Sequence, residues 1–197
     1  QDTFSKRHGI RLYGEVSREG KTGGSEAICH NMVIEELALP GQVVAGTDSH
    51  TCMAGALGCF AFGVGSTDMA NAWFTRDVRV KVPESVRFVL EGELGRGVSA
   101  KDVMLHILAL DHFKTGKGIG QVLEFAGDGV KKLSLDERAT LTNMAVEAGS
   151  FTGIIDQGKT ASFLAAMAEA RDHQEERGIR ARTTVWGAMT GQTNSVL

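Results

Sequence analysis

Short apolar runs alternate along the chain with longer helical patterns, and this alternation limits the possible folds more than any other sequence feature. Residues 42–46 form a short apolar run, and residues 86–92 show the two-residue alternation of a β-strand. Five segments instead carry apolar residues at helical spacing: 27–37, 67–75, 99–110, 136–148 and 160–177. Strands and helices in this order predict an α/β fold.

Composition excludes several classes of protein. The 197 residues are 42% hydrophobic and 23% charged, which is typical of a globular protein rather than a disordered one. Basic and acidic residues are interspersed with a net charge of −3, so we expect no nucleic-acid partner. Without a run of about 20 apolar residues or a signal-peptide pattern, we expect no membrane contact and a cytoplasmic location. The three cysteines, an odd number, favour reduced thiols over a disulfide framework.

One boundary is visible in the sequence at Pro83. The proline follows a basic, strand-like run at residues 76–81 and separates a glycine-rich first part from a more regular second part. Two helices of the second part begin with capping sequences, Ser99 to Asp102 and Ser134 to Glu137, in which a serine hydroxyl can accept a free backbone N–H.

Polar side chains are densest at residues 46–52, which read Gly-Thr-Asp-Ser-His-Thr-Cys and follow a predicted strand. Ligands bind at the carboxyl ends of strands in α/β sheets. Asp48, Ser49 and His50 there combine a carboxylate, a hydroxyl and an imidazole, the groups that transfer protons near neutral pH. The alternative is a structural one, in which Asp48 or Ser49 only caps the helix that follows.

Two further polar groups lie on predicted helices. His30 interrupts an otherwise apolar helical pattern, and Asn143 and Glu147 are four residues apart and share one helix face. Each has a structural alternative, since a lone helical histidine is usually a core or surface residue and a polar face is usually solvated.

The spacing of other residues argues against two kinds of site. Six residues separate Cys52 from Cys59, which is more than the two to four typical of paired zinc ligands. The loop from Gly14 to Thr22 resembles a P-loop but has five residues between its glycines where the motif has four, so nucleotide binding is a weak alternative. A second glycine loop at residues 115–120 also lacks the phosphate-binding signature.

Taken in order, the motifs resemble the aconitase superfamily, in particular its isopropylmalate isomerase and homoaconitase branch. The matching segments are residues 27–30, 39–41, 46–52, 62–70, 81–84, 100–103, 124–127 and 143–149. The resemblance implies three-layer α/β/α domains with mostly parallel sheets, one over residues 1–82, a second over 83–180, and a tail of uncertain register at 181–197.

The same resemblance implies roles for six residues. It pairs His30 with Asp48 and His50 with Glu147 as catalytic residues, makes Ser49 a substrate contact and places Asn143 beside the cofactor. We expect hydrogen-bond contact in the first pair and a longer distance in the second. The implied activity is a hydro-lyase acting on a small hydroxy acid such as 3-isopropylmalate, homocitrate or citrate.

The implied cofactor is a 4Fe-4S cluster held by three cysteines. The nearest match to the family's first ligand motif is residues 190–195, which carry Gln192 where a thiolate is needed. We therefore expect that the chain is truncated or gapped, lacks the cluster and is inactive alone. The expected partners are the remaining domains or a small swivelling subunit. The alternative function is a cluster-free binding fragment without catalytic activity.

Overall fold

The structure is a computed structural model that describes residues 2–13, 15–18, 21–25 and 28–155. The α-helices are α1 (Asp2–His8), α2 (Cys29–Met32), α3 (Ser66–Thr75), α4 (Ala100–Leu108), α5 (Asp111–Lys114), α6 (Asp128–Lys132) and α7 (Leu135–Asn143). The strands are β1 (Glu15–Arg18), β2 (Lys21–Ser25), β3 (Val43–Gly46), β4 (Phe60–Gly63), β5 (Ser85–Val89), β6 (Val122–Ala126) and β7 (Thr152–Ile155). The predicted helix at 160–177, the tail at 181–197 and Gln192 lie outside the described residues.

Three further helical segments, of π or 3₁₀ type, occur in the described residues. A π-helix, Val33–Leu37, continues α2, and a 3₁₀-helix, Met144–Ala148, continues α7. The 3₁₀-helix Ser49–Leu57 carries the densest polar motif and is called the His50 helix below.

Most described strands pair in parallel. β3 pairs with β4, and β5, β6 and β7 form a second sheet in that order. Only the β1–β2 pair is antiparallel among the described strands. The predicted α/β class with mostly parallel sheets is thereby confirmed. The P-loop-like segment includes β1 and the first two residues of β2, whereas a phosphate-binding loop leads from a strand into a helix.

The predicted capping sequences form. The Asp102 carboxylate accepts the Ser99 N–H at 2.8 Å, and in the second box Glu137 accepts the Ser134 N–H at 2.7 Å. The strand-like run at 76–81 is not a strand, because no neighbouring strand pairs with it in the described part of the chain. Arg76 follows the last residue of α3 in the left-handed conformation, with φ 63°, which ends the helix.

Two apolar clusters form the core. One contains Met104, Phe125 and Leu141 and lies in the second half of the described chain, and the other includes Leu57 at the end of the His50 helix. α7 contributes Leu141 to the first cluster and Ala139 to the second, so it joins them. None of the helices that the structure describes is both long and apolar enough to cross a membrane.

Candidate functional site

Asp48 begins the His50 helix and also contacts His30. Its Oδ1 atom accepts the backbone N–H of His50 at 2.7 Å, which is an N-cap bond, and the Nε2 atom of His30 lies 3.0 Å from the same oxygen. The carboxylate therefore caps the helix and also contacts an imidazole, so Asp48 does not only cap, and its role in proton transfer stays a prediction.

The surroundings of Asp48 favour its charged form. The His50 N–H is the largest cause of a lowered pKa for this carboxyl, followed by the hydrogen bond and charge of His30 and the charge of His50, while partial desolvation opposes them. Asp48 is thus an ionised acceptor between two imidazoles.

His50 lies between two carboxylates. Its Nδ1 atom is 3.4 Å from Asp48 Oδ1 and 3.3 Å from Ser49 Oγ, and its Nε2 atom is 3.6 Å from Glu147 Oε1. The predicted geometry is confirmed, with hydrogen-bond contact in the His30–Asp48 pair and a longer distance in the His50–Glu147 pair. The catalytic roles given to these residues stay predictions.

The two imidazoles lie on one side of an open cleft. The centroids of their rings are 6.3 Å apart. The cleft has a volume of about 410 Å³ and is lined by ten residues, namely Ile28, His30, Asn31, Asp48, His50, Met53, Asp136, Ala139, Thr140 and Asn143. The cleft thus offers space for a small molecule beside both rings.

Sequence reasoning predicted Asn143 in this site but missed Asp136 and Thr140, which line the same cleft. A signal for them exists, because residues 136, 140 and 143 are spaced at four and three positions and share one face of α7. No sequence pattern of this kind indicates that Asn31 and Met53 line the cleft. They lie one and three residues after His30 and His50, which were predicted in the site.

The cysteines do not form a metal site. Burial raises the pKa of Cys52 to about 11 and that of Cys59 to about 12, so both remain thiols at neutral pH. Cys59 Sγ donates to Leu39 O at 3.0 Å, while Cys29 is exposed. No group of three histidine, cysteine or acidic side chains suited to a metal occurs among the residues that can be described.

The arrangement suits proton transfer to and from a bound molecule. An imidazole held by a carboxylate through one nitrogen can give or take a proton through the other. Asp48 holds His30 in this way, and His50, which has a carboxylate near each ring nitrogen, lines the same cleft beside the Ser49 hydroxyl.

Comparison with a family model and comparison with individual proteins agree with each other. The family model described as aconitase family (aconitate hydratase) matches residues 2–195. A 3-isopropylmalate dehydratase large subunit from Caldanaerobacter subterraneus is 47% identical over 154 residues, which is 78% of this chain and 34% of that protein. A 3-isopropylmalate dehydratase large subunit 1 from Pyrococcus furiosus is 42% identical over 157 residues, 79% of this chain and 35% of that protein. The chain thus spans about a third of the length of these relatives.

Proposed function

The chain belongs to the aconitase family, and on this premise we propose that it carries the acid–base part of a hydro-lyase that removes water from a small hydroxy acid and adds it back. The observation that carries the proposal is the sharing of Asp48 by His30 and His50, with Glu147 facing the other nitrogen of His50. Proton transfer near neutral pH needs such oriented imidazoles.

In the proposed mechanism one of the two histidines gives a single proton to the hydroxyl, which leaves the substrate as water, while a base outside the described residues takes the proton from the neighbouring carbon. His30 donates its Nε2–H to Asp48, which fixes the tautomer and leaves the other ring nitrogen for proton exchange. Asp48 and Glu147 face the two ring nitrogens of His50. In the reverse direction the same histidine takes one proton from the water that adds. Ser49, beside His50, is the proposed substrate contact.

The described cysteines do not fit the family's iron-sulfur cluster. Cys52 and Cys59 are buried thiols bonded to backbone carbonyls, and Cys29 alone cannot supply three ligands. No step of the proposed mechanism runs through a cluster. All three cysteines of the chain are among the described residues, so the proposal is that the thiolate ligands come from parts of the parent enzyme other than residues 1–197, with Asn143, which lines the cleft, beside the cluster.

The proposed substrate and partner rest on the relatives of the chain. Both relatives are large subunits of 3-isopropylmalate dehydratases, so we propose 3-isopropylmalate as substrate and a small subunit as partner, with homocitrate and citrate as alternative substrates. The division into domains at residues 82 and 83 belongs to the same proposal, as does a cytoplasmic location, which suits three free thiols.

The test is an assay of the full-length natural chain, assembled with its small subunit and reconstituted with iron and sulfide without oxygen. Formation of the unsaturated acid is followed by ultraviolet absorbance for 3-isopropylmalate, homocitrate and citrate separately. We expect turnover of 3-isopropylmalate above that of the other two acids. If no acid is turned over and no cluster forms, the hydro-lyase proposal fails and the cluster-free binding fragment replaces it.

A further inference from the structure

The His50 helix and α7 exchange two side-chain hydrogen bonds where they pack together. Thr142 on α7 places its Oγ1 3.1 Å from the carbonyl oxygen of Met53, and Cys52 on the His50 helix places its Sγ 3.6 Å from the carbonyl oxygen of Asn143. The two bonds are reciprocal. The donor Cys52 is next to the acceptor Met53 in the chain, and the donor Thr142 is next to the acceptor Asn143. Cys52 and Thr142 are called the cross-helix pair below.

Both members of the cross-helix pair are buried. Thr142 is 0% exposed and Cys52 is 2% exposed. Each also has an acceptor in its own helix, at 3.3 Å for Thr142 and 3.5 Å for Cys52. For Thr142 the acceptor on the other helix is the nearest one. Because the contact is dry, the bond is not replaced by water when the hydroxyl is removed.

The contact between His50 and Glu147 is too weak to fix the distance between these two side chains. The side chains of His50 and Glu147 are 37% and 57% exposed, and their nearest atoms are 3.6 Å apart. That distance exceeds the usual 2.7–3.2 Å of an N–H···O bond, and exposed ion pairs contribute about 0–1 kcal/mol. The separation of these two side chains must therefore be set by the packing of the elements that carry them.

We propose that Thr142 is a positioning residue whose hydroxyl, together with the Cys52 thiol, sets the separation between His50 and Glu147. Thr142 directly precedes Asn143, and Glu147 lies on the 3₁₀-helix that continues α7. On the other side, Met53 follows His50 by one turn of the His50 helix. The bond between Thr142 and Met53 therefore joins the two backbones close to the site.

A comparable buried threonine makes a hydrogen bond between two other elements. Thr152, which begins β7, donates its hydroxyl to the carbonyl of Ala61 on β4 at 2.5 Å. This bond joins β7 to β4 but lies outside the lining of the cleft. It provides a matched buried threonine, so Thr152 variants control for the general loss of a buried hydroxyl bond.

The first test measures geometry in this chain without any assumption about its activity. In isotope-labelled protein, the nuclear Overhauser effect between the His50 ring and the Glu147 side chain reports their separation. We expect Thr142→Val, which removes the hydroxyl at nearly constant volume, to weaken this signal. Thr142→Ser, which keeps the hydroxyl, and Thr152→Val should both retain it. Equal signals in Thr142→Val and wild type, or equal loss in the Val and Ser variants, would overturn the proposal.

If Thr142→Val does not fold, Cys52→Ala and Cys52→Ser offer the same comparison from the other helix. Serine keeps a donor at this position and alanine does not. The expected result is again a retained signal for serine and a weakened one for alanine. Identical signals in the two folded Cys52 variants would contradict the positioning role.

The second test measures the catalytic consequence and rests on the proposed function. In the full-length assembled enzyme, we expect Thr142→Val to lower kcat on the order of tenfold with KM nearly unchanged. In a Glu147→Gln background the same change should have much less effect, because the two residues act through one contact. Equal losses in both backgrounds would overturn the positioning role. If wild type shows no turnover, the proposed function fails, but the geometric test still decides the role of Thr142.

Discussion

Gly55 on the His50 helix should tolerate no side chain. A Cβ atom at this position would lie 1.8 Å from the carbonyl oxygen of Gly153 on β7 and 3.0 Å from its carbonyl carbon. Contacts under 3.0 Å are essentially never formed by real Cβ atoms, so the helix and the strand would have to separate. Both colliding groups are fixed by backbone structure, and neither can rotate away as a flexible side chain would.

The expected cost of Gly55→Ala is about 3 kcal/mol, at the upper end of ordinary overpacking because the obstacle is backbone. The higher helix propensity of alanine stabilises the variant by at most about 1 kcal/mol, so the net effect of the substitution on stability is unfavourable. A loss of this size is a large part of a typical stability of about 5–15 kcal/mol. In a chain of this length it corresponds to a fall in Tm of roughly 6–12 °C.

Denaturant unfolding followed by circular dichroism measures this loss, and Gly95→Ala is the control. A Cβ at Gly95 meets only Val98 Cγ2, at an ordinary 3.7 Å, so we expect a change within about 0.5 kcal/mol. If Gly55→Ala were as stable as Gly95→Ala, the close packing of the His50 helix on β7 would be wrong.

Three further predictions concern single side chains. The pKa of Asp48 is lowered from 3.8, so its carboxylate contributes stability that is present above pH 3.8 and is lost as the pH falls through the lowered value. Unfolding free energies of wild type and Asp48→Asn should therefore differ at pH 6 and converge in acid, and a constant difference would contradict this. Iodoacetamide should modify only the exposed Cys29 in the folded chain and all three cysteines after denaturation, as counted by mass spectrometry, because Cys52 and Cys59 are buried; native labelling of Cys59 would refute it. Arg138, 1% exposed, donates to the carbonyls of Val130 and Leu133, and Arg138→Met should cost about 2–3 kcal/mol in thermal or denaturant unfolding. A variant as stable as wild type would show that these bonds contribute nothing.

Local features of this fold were predictable from the sequence because they depend on neighbouring residues. The capping boxes at Ser99 and Ser134 form from side chains three residues apart, and the parallel strand order follows from the alternation of strands and helices. The His30–Asp48 contact needed the family resemblance, because nothing in the local pattern of either residue points to the other.

Features that depend on packing between distant segments were not predictable. The close approach of Gly55 to Gly153 and the bond between Thr142 and Met53 join segments that have no sequence pattern in common. The prediction of a strand at 76–81 was wrong for the same reason, because a strand forms only where a neighbouring strand pairs with it. The role of Asp48 as both cap and imidazole partner also required the fold, because sequence patterns treat these as alternatives.

The most direct test of the account compares His50→Asn with His106→Asn in the full-length chain, assembled with the proposed small subunit and supplied with the proposed substrate, 3-isopropylmalate. His106 is exposed on α4 and does not line the cleft, so the same substitution there controls for general effects. We expect His50→Asn to lower turnover on the order of a hundredfold with cluster content unchanged, because it removes a positioned acid–base group. If His50→Asn keeps the turnover of His106→Asn, proton transfer by the His30, Asp48, His50 and Glu147 group is contradicted.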